Sequence, residues 1–285
     1  MRILLAAAVL AFNVEAKSLF SNDEQKSNSK YIGALKDLVI STQKTRGLTN
    51  SYLNGNRSAS LLIHSNKRDM KKAIGIMEGL PLAEDPNIGD RADEISQSLI
   101  KLNNIAFDQK PAKTFKDYTA QIEQILMLAQ TISKKGSKDL NPLGKDASVV
   151  MMEVILPLTE QIGKMRGMGS GVVARGKITE VQKFAILSMI DEIESLENQL
   201  QSDMNTITSK YSDNYDSNMR RALSKVHKDI SNYVTTTKTK VMSPTVSKDC
   251  NAGNFFNKGT EIISTLIKIY DLNNKAILND SKGWI

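Results

Sequence analysis

Apolar residues recur every three or four positions along most of this chain, which is the spacing of an amphipathic α-helix. The first clear stripe begins at Ile32 and Leu35 and continues through Val39, and it predicts a helix over about 29–54. The same spacing, broken at glycine and proline, predicts seven further helices. These cover about 58–79, 89–107, 113–135, 146–176, 179–210, 213–238 and 254–278.

Two features interrupt the helical pattern. The internal stretch most typical of a loop covers 136–145 and contains Asn141-Pro142-Leu143-Gly144. It divides the eight helices into halves of about 29–138 and 146–280, so we predict an all-α fold of two packed four-helix bundles. Pro157 falls inside the fifth predicted helix and is expected to kink it.

The composition agrees with an all-α class. Aromatic residues make up only 5% of the chain, although 40% of it is hydrophobic, whereas strands favour aromatic and β-branched residues. The formal net charge is +7, but lysine and arginine are scattered among acidic residues. This distribution predicts a solvated surface with a preference for anions, and it argues against a nucleic-acid partner, which would need a concentrated basic stripe.

The first sixteen residues have the layout of a secretory signal peptide. Arg2 precedes an apolar run of about ten residues, which ends before Val14-Glu15-Ala16, with a small residue at both positions that signal peptidase reads. The run is shorter than the about 20 apolar residues needed to span a bilayer. We therefore expect cleavage after Ala16, a mature domain over 17–285 and a periplasmic or secreted location. An amphipathic first helix or an uncleaved anchor is the alternative.

The residues that usually carry catalysis or metal binding are scarce. Cys250 is the single cysteine, so an internal disulfide is excluded. His64 and His227 lack a carboxylate or cysteine at ligand spacing on a helix. The sequence also contains no glycine-rich phosphate loop, nucleophile elbow or zinc-protease motif. We predict that the protein is not an enzyme and uses no metal or cofactor.

Two arginines occupy positions where the helical stripes require apolar residues. Arg46 lies seven residues after Val39 and seven before Leu53, and Arg166 lies four residues after Ile162. A buried guanidinium stays charged and needs an anionic or hydrogen-bonding partner. Neither arginine has an acidic residue three or four positions away, so a carboxylate partner would have to come from another helix. One interpretation is such a structural salt bridge; the other is a small planar oxyanion held between the two guanidinium groups.

A glycine follows each arginine, in segments 45–55 and 165–176 that share a weak repeat. Glycine inside a helix costs about 0.5–1 kcal/mol relative to alanine, so the glycines of the second segment indicate the close approach of a ligand or another helix. Two polar residues of the first helix are also candidate ligand donors, although local helix contacts would explain them equally well. The supporting candidates are Gly167, Gly169, Thr49 and Asn50.

These arginine segments resemble the nitrate- and nitrite-sensing domain of bacterial receptors, chemoreceptors and transcription antiterminators. The resemblance covers about 31–278 and implies two packed four-helix bundles, with the ligand held by Arg46 from one half and Arg166 from the other. Family members often carry glutamate at the position of Thr45. The segments that carry the resemblance are Gln43-Lys44-Thr45-Arg46-Gly47 with Tyr52-Leu53, Leu158-Thr159-Glu160-Gln161-Ile162-Gly163-Lys164-Met165-Arg166-Gly167-Met168-Gly169-Ser170-Gly171, and Asn254-Phe255-Phe256-Asn257-Lys258-Gly259-Thr260-Glu261-Ile262-Ile263.

We therefore expect an extracytoplasmic sensor or binding protein for nitrate or nitrite. Family members usually pass the signal to an attached kinase, cyclase, chemoreceptor or RNA-binding module. This sequence carries none of these, so the output is expected to run through a separate partner such as a membrane receptor or kinase. A helical protein-interaction module with purely structural arginines is the alternative. The sequence leaves open whether nitrate or nitrite is preferred and whether the chain forms a homodimer.

Overall fold

The computed structural model describes the backbone of residues 3–53, 59–135, 140–243 and 246–280. Side chains are described for the same residues, except that in the first helix they comprise residues 23, 26–50, 52 and 53. This part of the chain is helical and contains no strand, which confirms the predicted all-α class. The helices are α1 (Ile3–Leu53), α2 (Ser60–Glu78), α3 (Pro86–Ile105), α4 (Pro111–Lys135), α5 (Pro142–Val149), α6 (Leu156–Arg175), α7 (Glu180–Lys210), α8 (Ser217–Thr236) and α9 (Ala252–Asp280).

Helices α5 and α6 form one continuous rod because Val150–Ile155 joins them with π-helical hydrogen bonds. Pro157 lies at the start of α6. Proline has no backbone N–H and its ring crowds the preceding turn, so the irregularity predicted at this position takes the form of a π-helical segment. Counted with this rod, the described residues contain eight long helices, as predicted.

The first helix begins much earlier than predicted, at Ile3 instead of near residue 29. Residues 3–31 contain neither proline nor glycine, and good helix formers such as Glu24 and Lys26 occupy the polar part. The side chains of the predicted signal peptide, residues 1–16, lie outside the described ones, and its cleavage stays a prediction. Among the described residues, no helix is long and apolar enough to cross a membrane.

Local side-chain interactions set several other helix ends. The Thr179 side chain and Gln182 form a reciprocal capping box at the start of α7, where the sequence predicts a helix to begin. Gly176 ends α6 in the left-handed conformation with φ of 69°. The predicted loop over 136–145 is too long, because the Asn141 side chain accepts a hydrogen bond from the Gly144 backbone and caps α5.

The helices pack around one shared core. Helix α1 packs against α2 and α4, and α3 packs against α4; helix α6 packs against α7 and α9, and α8 packs against α9. Helix α1 also contacts α6 and α9, and one continuous aliphatic core links these elements. The stripe of Ile32, Leu35 and Val39 is buried as predicted. The division into two four-helix bundles stays a prediction.

Candidate functional site

Arg46 lies on the buried face of α1, with only 2% of its surface exposed. Its Nη1 donates to Glu160 Oε1 at 2.6 Å, and its Nη2 donates to Glu160 Oε2 at 3.0 Å. Glu160 belongs to α6 and is also 2% exposed, so the two form a buried bidentate salt bridge. Arg46 therefore has an anionic partner inside the protein, and its contact with a ligand stays a prediction. A second helix provides its carboxylate, which is the structural alternative that the sequence left open.

Further hydrogen bonds hold this salt bridge in place. Gln43 Nε2 donates to Glu160 Oε2 at 3.1 Å, and Arg46 Nη1 also donates to Thr119 Oγ1 at 2.9 Å. Charged groups in a core are stable only when they are paired and hydrogen-bonded in this way. Most of the donor capacity of Arg46 is therefore already used inside the protein.

Arg166 differs from Arg46 because no carboxylate among the described residues lies within salt-bridge distance of it. It is 8% exposed, and its Nη1 donates to Thr260 Oγ1 at 2.9 Å. Its Nε is buried and has no hydrogen-bond partner among the described residues. Burial lowers the pKa of Arg166, and Arg46 lowers it further, while Tyr233 and Glu160 act in the opposite direction. Arg166 is thus a buried cation without a counter-ion among the described side chains.

A bare surface of α6 lies between the Arg46 guanidinium and the point where Arg166 leaves the helix. A Cβ atom placed on Gly163 would lie 3.5 Å from Arg46 Nη2. Gly163 precedes Arg166 by three residues, and residues three apart on a helix have Cβ positions about 5–6 Å apart. The Arg46 guanidinium therefore lies within about one helical turn of the point where Arg166 leaves α6. This agrees with the effect of Arg46 on the pKa of Arg166.

Each arginine sits in a matching pair of side chains from the last helix of its predicted half. The Arg46 guanidinium carbon lies 4.8 Å from the centre of the Phe115 ring and Arg46 bonds to Thr119, both on α4. The contacts of Arg166 are equivalent. Its guanidinium carbon lies 4.4 Å from the centre of the Phe256 ring, and it bonds to Thr260, both on α9. A Phe-x-x-x-Thr pattern on each helix therefore holds one guanidinium by cation–π contact and hydrogen bonding.

Tyr233 of α8 adds a second unsatisfied polar group beside Arg166. A Cβ atom on Gly259 would lie 2.9 Å from Tyr233 Oη and 3.0 Å from Arg166 Cβ, so this glycine permits their close approach. The Tyr233 hydroxyl is buried and has no hydrogen-bond partner among the described residues. Burial raises the pKa of this phenol well above its ordinary value, so the hydroxyl stays protonated and can donate. Two adjacent buried donors without acceptors are unusual in a native core and suit a small anion.

The predicted supporting residues have different surroundings. A Cβ atom on Gly167 would lie 3.7 Å from the Phe115 ring, next to the aromatic contact of Arg46. A Cβ atom on Gly169 would lie 2.4 Å from Phe255 Cε1, so here the structure favours the close approach of another helix. Thr49 is buried beside the Tyr118 hydroxyl on α4. Ligand roles for Thr49 and Asn50 stay predictions.

The packing at Gly169 predicts a measurable cost for adding one methyl group. Gly169→Ala should lower the free energy of unfolding by about 1–3 kcal/mol, because the buried Phe255 ring must move to accept the methyl group. Gly167→Ala is the matched control on the same helix. Its methyl group meets an ordinary contact, and alanine favours the helix by up to about 1 kcal/mol. Urea unfolding of both variants tests this difference, and equal shifts for the two would contradict the packing role.

Sequence analysis gave no site role to Glu160, Tyr233 or the two Phe-x-x-x-Thr pairs, although Glu160 and the second pair lie in segments that carry the family resemblance. The repeated pattern at 115–119 and 256–260 was a signal that could have identified Phe115 and Thr119. No group of three or more histidine, cysteine, aspartate or glutamate side chains among the described residues could hold a metal ion. The described site combines two arginines with the Glu160 carboxylate, the Gln43 amide, hydroxyl groups and aromatic rings.

The helices and this cluster define an all-α domain whose core holds an incompletely paired cation. The chain matches the family described as "Nitrate and nitrite sensing" over residues 37–273. That match spans most of the sequence, so the chain belongs to the nitrate and nitrite sensing family. The resemblance predicted from the arginine segments is thus confirmed.

A solved structure shows the same fold. The chain is similar to the structure described as "Structure of the NasR transcription antiterminator", with a TM-score of 0.68 and 13% sequence identity. The similarity covers 97% of this chain and 75% of that one. At this identity it establishes the shared fold alone. A comparison with curated protein sequences found no match.

Proposed function

We propose that this chain is a sensor or binding protein for nitrate or nitrite, and that one anion binds against Arg166 on the side that faces Arg46. The observation that carries the proposal is the buried Arg166 Nε, which has no hydrogen-bond partner among the described residues of a member of this family. A buried N–H of a charged group is costly to leave unpaired. A bound anion would supply the missing acceptor and the missing charge together.

The surrounding groups suit a small planar oxyanion. Arg166 Nε and Tyr233 Oη can both donate, and Thr260 holds the other end of the guanidinium. Gly163 leaves the α6 surface bare between the two arginines. Arg46 adds positive potential, but Glu160 and Thr119 take up most of its hydrogen bonds. The two arginines therefore have unequal roles: Arg166 contacts the anion, and Arg46 supports it.

Location and output are part of this proposal. The signal-peptide pattern of residues 1–16 supports an extracytoplasmic site of action. The signal would then pass to a separate membrane receptor or kinase. Val181 and Phe184 at the start of α7 are 79% and 69% exposed, and such exposed apolar residues favour contact with a protein. This observation also supports the alternative of a protein-interaction module.

Thermal melting of the full chain with added anions tests the proposed ligand. Nitrate or nitrite at about 100 times its Kd should stabilise the protein by about 2.7 kcal/mol, which raises the Tm by about 5–10 °C for a domain of this size. Sodium chloride at equal ionic strength is the control for general salt effects. Identical melting temperatures in nitrate, nitrite and chloride would reject the proposal.

A further inference from the structure

The buried charged side chains near Arg166 have a positive net charge. Among the described residues, three charged side chains at the site expose less than a tenth of their surface: Arg46, Glu160 and Arg166. The other buried charged side chain in the described chain, Glu197, contacts His227 between α7 and α8. Two positive charges and one negative charge leave one positive charge at the site. A single negative charge from a ligand would neutralise it.

Glu160 is fixed in place, so it contributes its charge whether or not an anion is bound. Arg46 holds both of its carboxylate oxygens, and Gln43 donates to one of them. A weakly bound anion does not displace such a carboxylate, because separating a buried ion pair leaves an uncompensated charge in the core. An anion at Arg166 therefore binds while Glu160 stays negative nearby.

We infer that Glu160 is a specificity-determining residue, which makes the site accept monovalent oxyanions and reject divalent ones such as sulfate. Glu160 and Arg166 are six residues apart on α6, which is about 9 Å along a helix. An anion bound at Arg166 has the same sign of charge as Glu160, and like charges about that far apart repel each other in a protein interior. A monovalent anion brings the buried charge to zero, whereas a divalent anion leaves a buried negative charge without a partner. This inference rests on the proposed function of the Arg166 site.

Calorimetric titration of the full chain with sodium nitrate and sodium sulfate, at constant ionic strength, tests the inference. In the wild type, the Kd for sulfate should be at least about ten times the Kd for nitrate. Glu160→Gln keeps the side-chain shape and removes the charge. It should lower the Kd for nitrate about tenfold and the Kd for sulfate about a hundredfold, because sulfate carries twice the charge. The ratio of the Kd for sulfate to the Kd for nitrate should therefore fall about tenfold. Glu192→Gln, an exposed site on α7, is the control for net charge.

A double variant, Arg46→Gln with Glu160→Gln, removes the salt bridge without changing the local net charge. It therefore separates the effect of charge on anion preference from the effect of losing the salt bridge. It removes one charge of each sign and keeps the local sum at one positive charge, so its nitrate preference should return towards the wild-type ratio. The inference is overturned if wild-type protein binds sulfate as tightly as nitrate, or if Glu160→Gln keeps the wild-type ratio. Should Glu160→Gln fail to fold, the wild-type ratio of the Kd for sulfate to the Kd for nitrate remains the test. A wild-type protein that binds neither nitrate nor nitrite rejects the proposed function instead.

Discussion

Replacing Arg46 with alanine should lower the free energy of unfolding by about 3–5 kcal/mol, the largest loss expected from any single change at the site. The reason is that Glu160, the partner of Arg46, remains buried without it. Glu160 is 2% exposed and loses both hydrogen bonds from the guanidinium, so its negative charge stays in the core with Gln43 as its remaining donor from α1. Urea unfolding followed by circular dichroism measures the loss.

Two comparisons separate this effect from a general cost of mutation. Lys238→Ala breaks an ion pair between Lys238 and Glu194 in which both side chains are nearly half exposed, and it should cost no more than about 1 kcal/mol. Arg46→Met combined with Glu160→Leu removes both buried charges and should recover most of the loss, because no unpaired charge remains. An Arg46→Ala variant as stable as Lys238→Ala would contradict the buried salt bridge.

Arg166→Met should have the opposite pattern: little loss of stability without ligand, and complete loss of the stabilisation by nitrate. Methionine fills much of the same volume and removes a buried cation that has no carboxylate partner among the described residues. The roughly 2.7 kcal/mol gained at about 100 times Kd should disappear with it, since the donor that contacts the anion is gone. Thermal melting with and without nitrate measures both quantities in one series.

The exposed Arg175, at the end of the same helix, is the matched control for Arg166. Arg175→Met changes the net charge equally and should respond to nitrate as the wild type does. A nitrate response that survives in Arg166→Met would place the anion elsewhere. A large loss of stability in nitrate-free buffer would show that Arg166 has a structural partner.

Helical periodicity was sufficient to predict which face of each helix is buried. The stripe through Ile32, Leu35 and Val39 continues to Arg46, and each of these residues is nearly inaccessible. The sequence alone therefore predicted that Arg46 and Arg166 are buried cations. This prediction works because a residue three or four positions along a helix from apolar residues lies on the same face and shares their environment.

The partner of Arg46 could not be found in the same way. Periodicity relates residues within a few positions of each other, whereas Glu160 is 114 residues away from Arg46 in the chain. Which carboxylate meets which arginine depends on how α1 packs against α6. The sequence could only state that such a carboxylate would come from another helix, and Glu160 is that residue.

Glu160 also breaks the internal similarity of the two halves. Each arginine has a phenylalanine and a threonine from a later helix, and the spacing of these is the same on α4 and α9. Six residues before Arg166 lies Glu160, whereas six residues before Arg46 lies Ile40. Among the described residues, the one buried carboxylate between the two arginines pairs with Arg46 and not with Arg166. Arg46 therefore has a structural partner, whereas Arg166 is the arginine that we expect to contact the ligand.

The structure of the full chain crystallised with nitrate is the most direct test of the claim that an anion completes Arg166. The account predicts a planar anion with an oxygen about 2.7–3.2 Å from Arg166 Nε, while both oxygens of Glu160 stay on Arg46. Nitrate bound at another place while Arg166 keeps no anionic partner would contradict the account, as would Arg166 paired with a carboxylate of the protein.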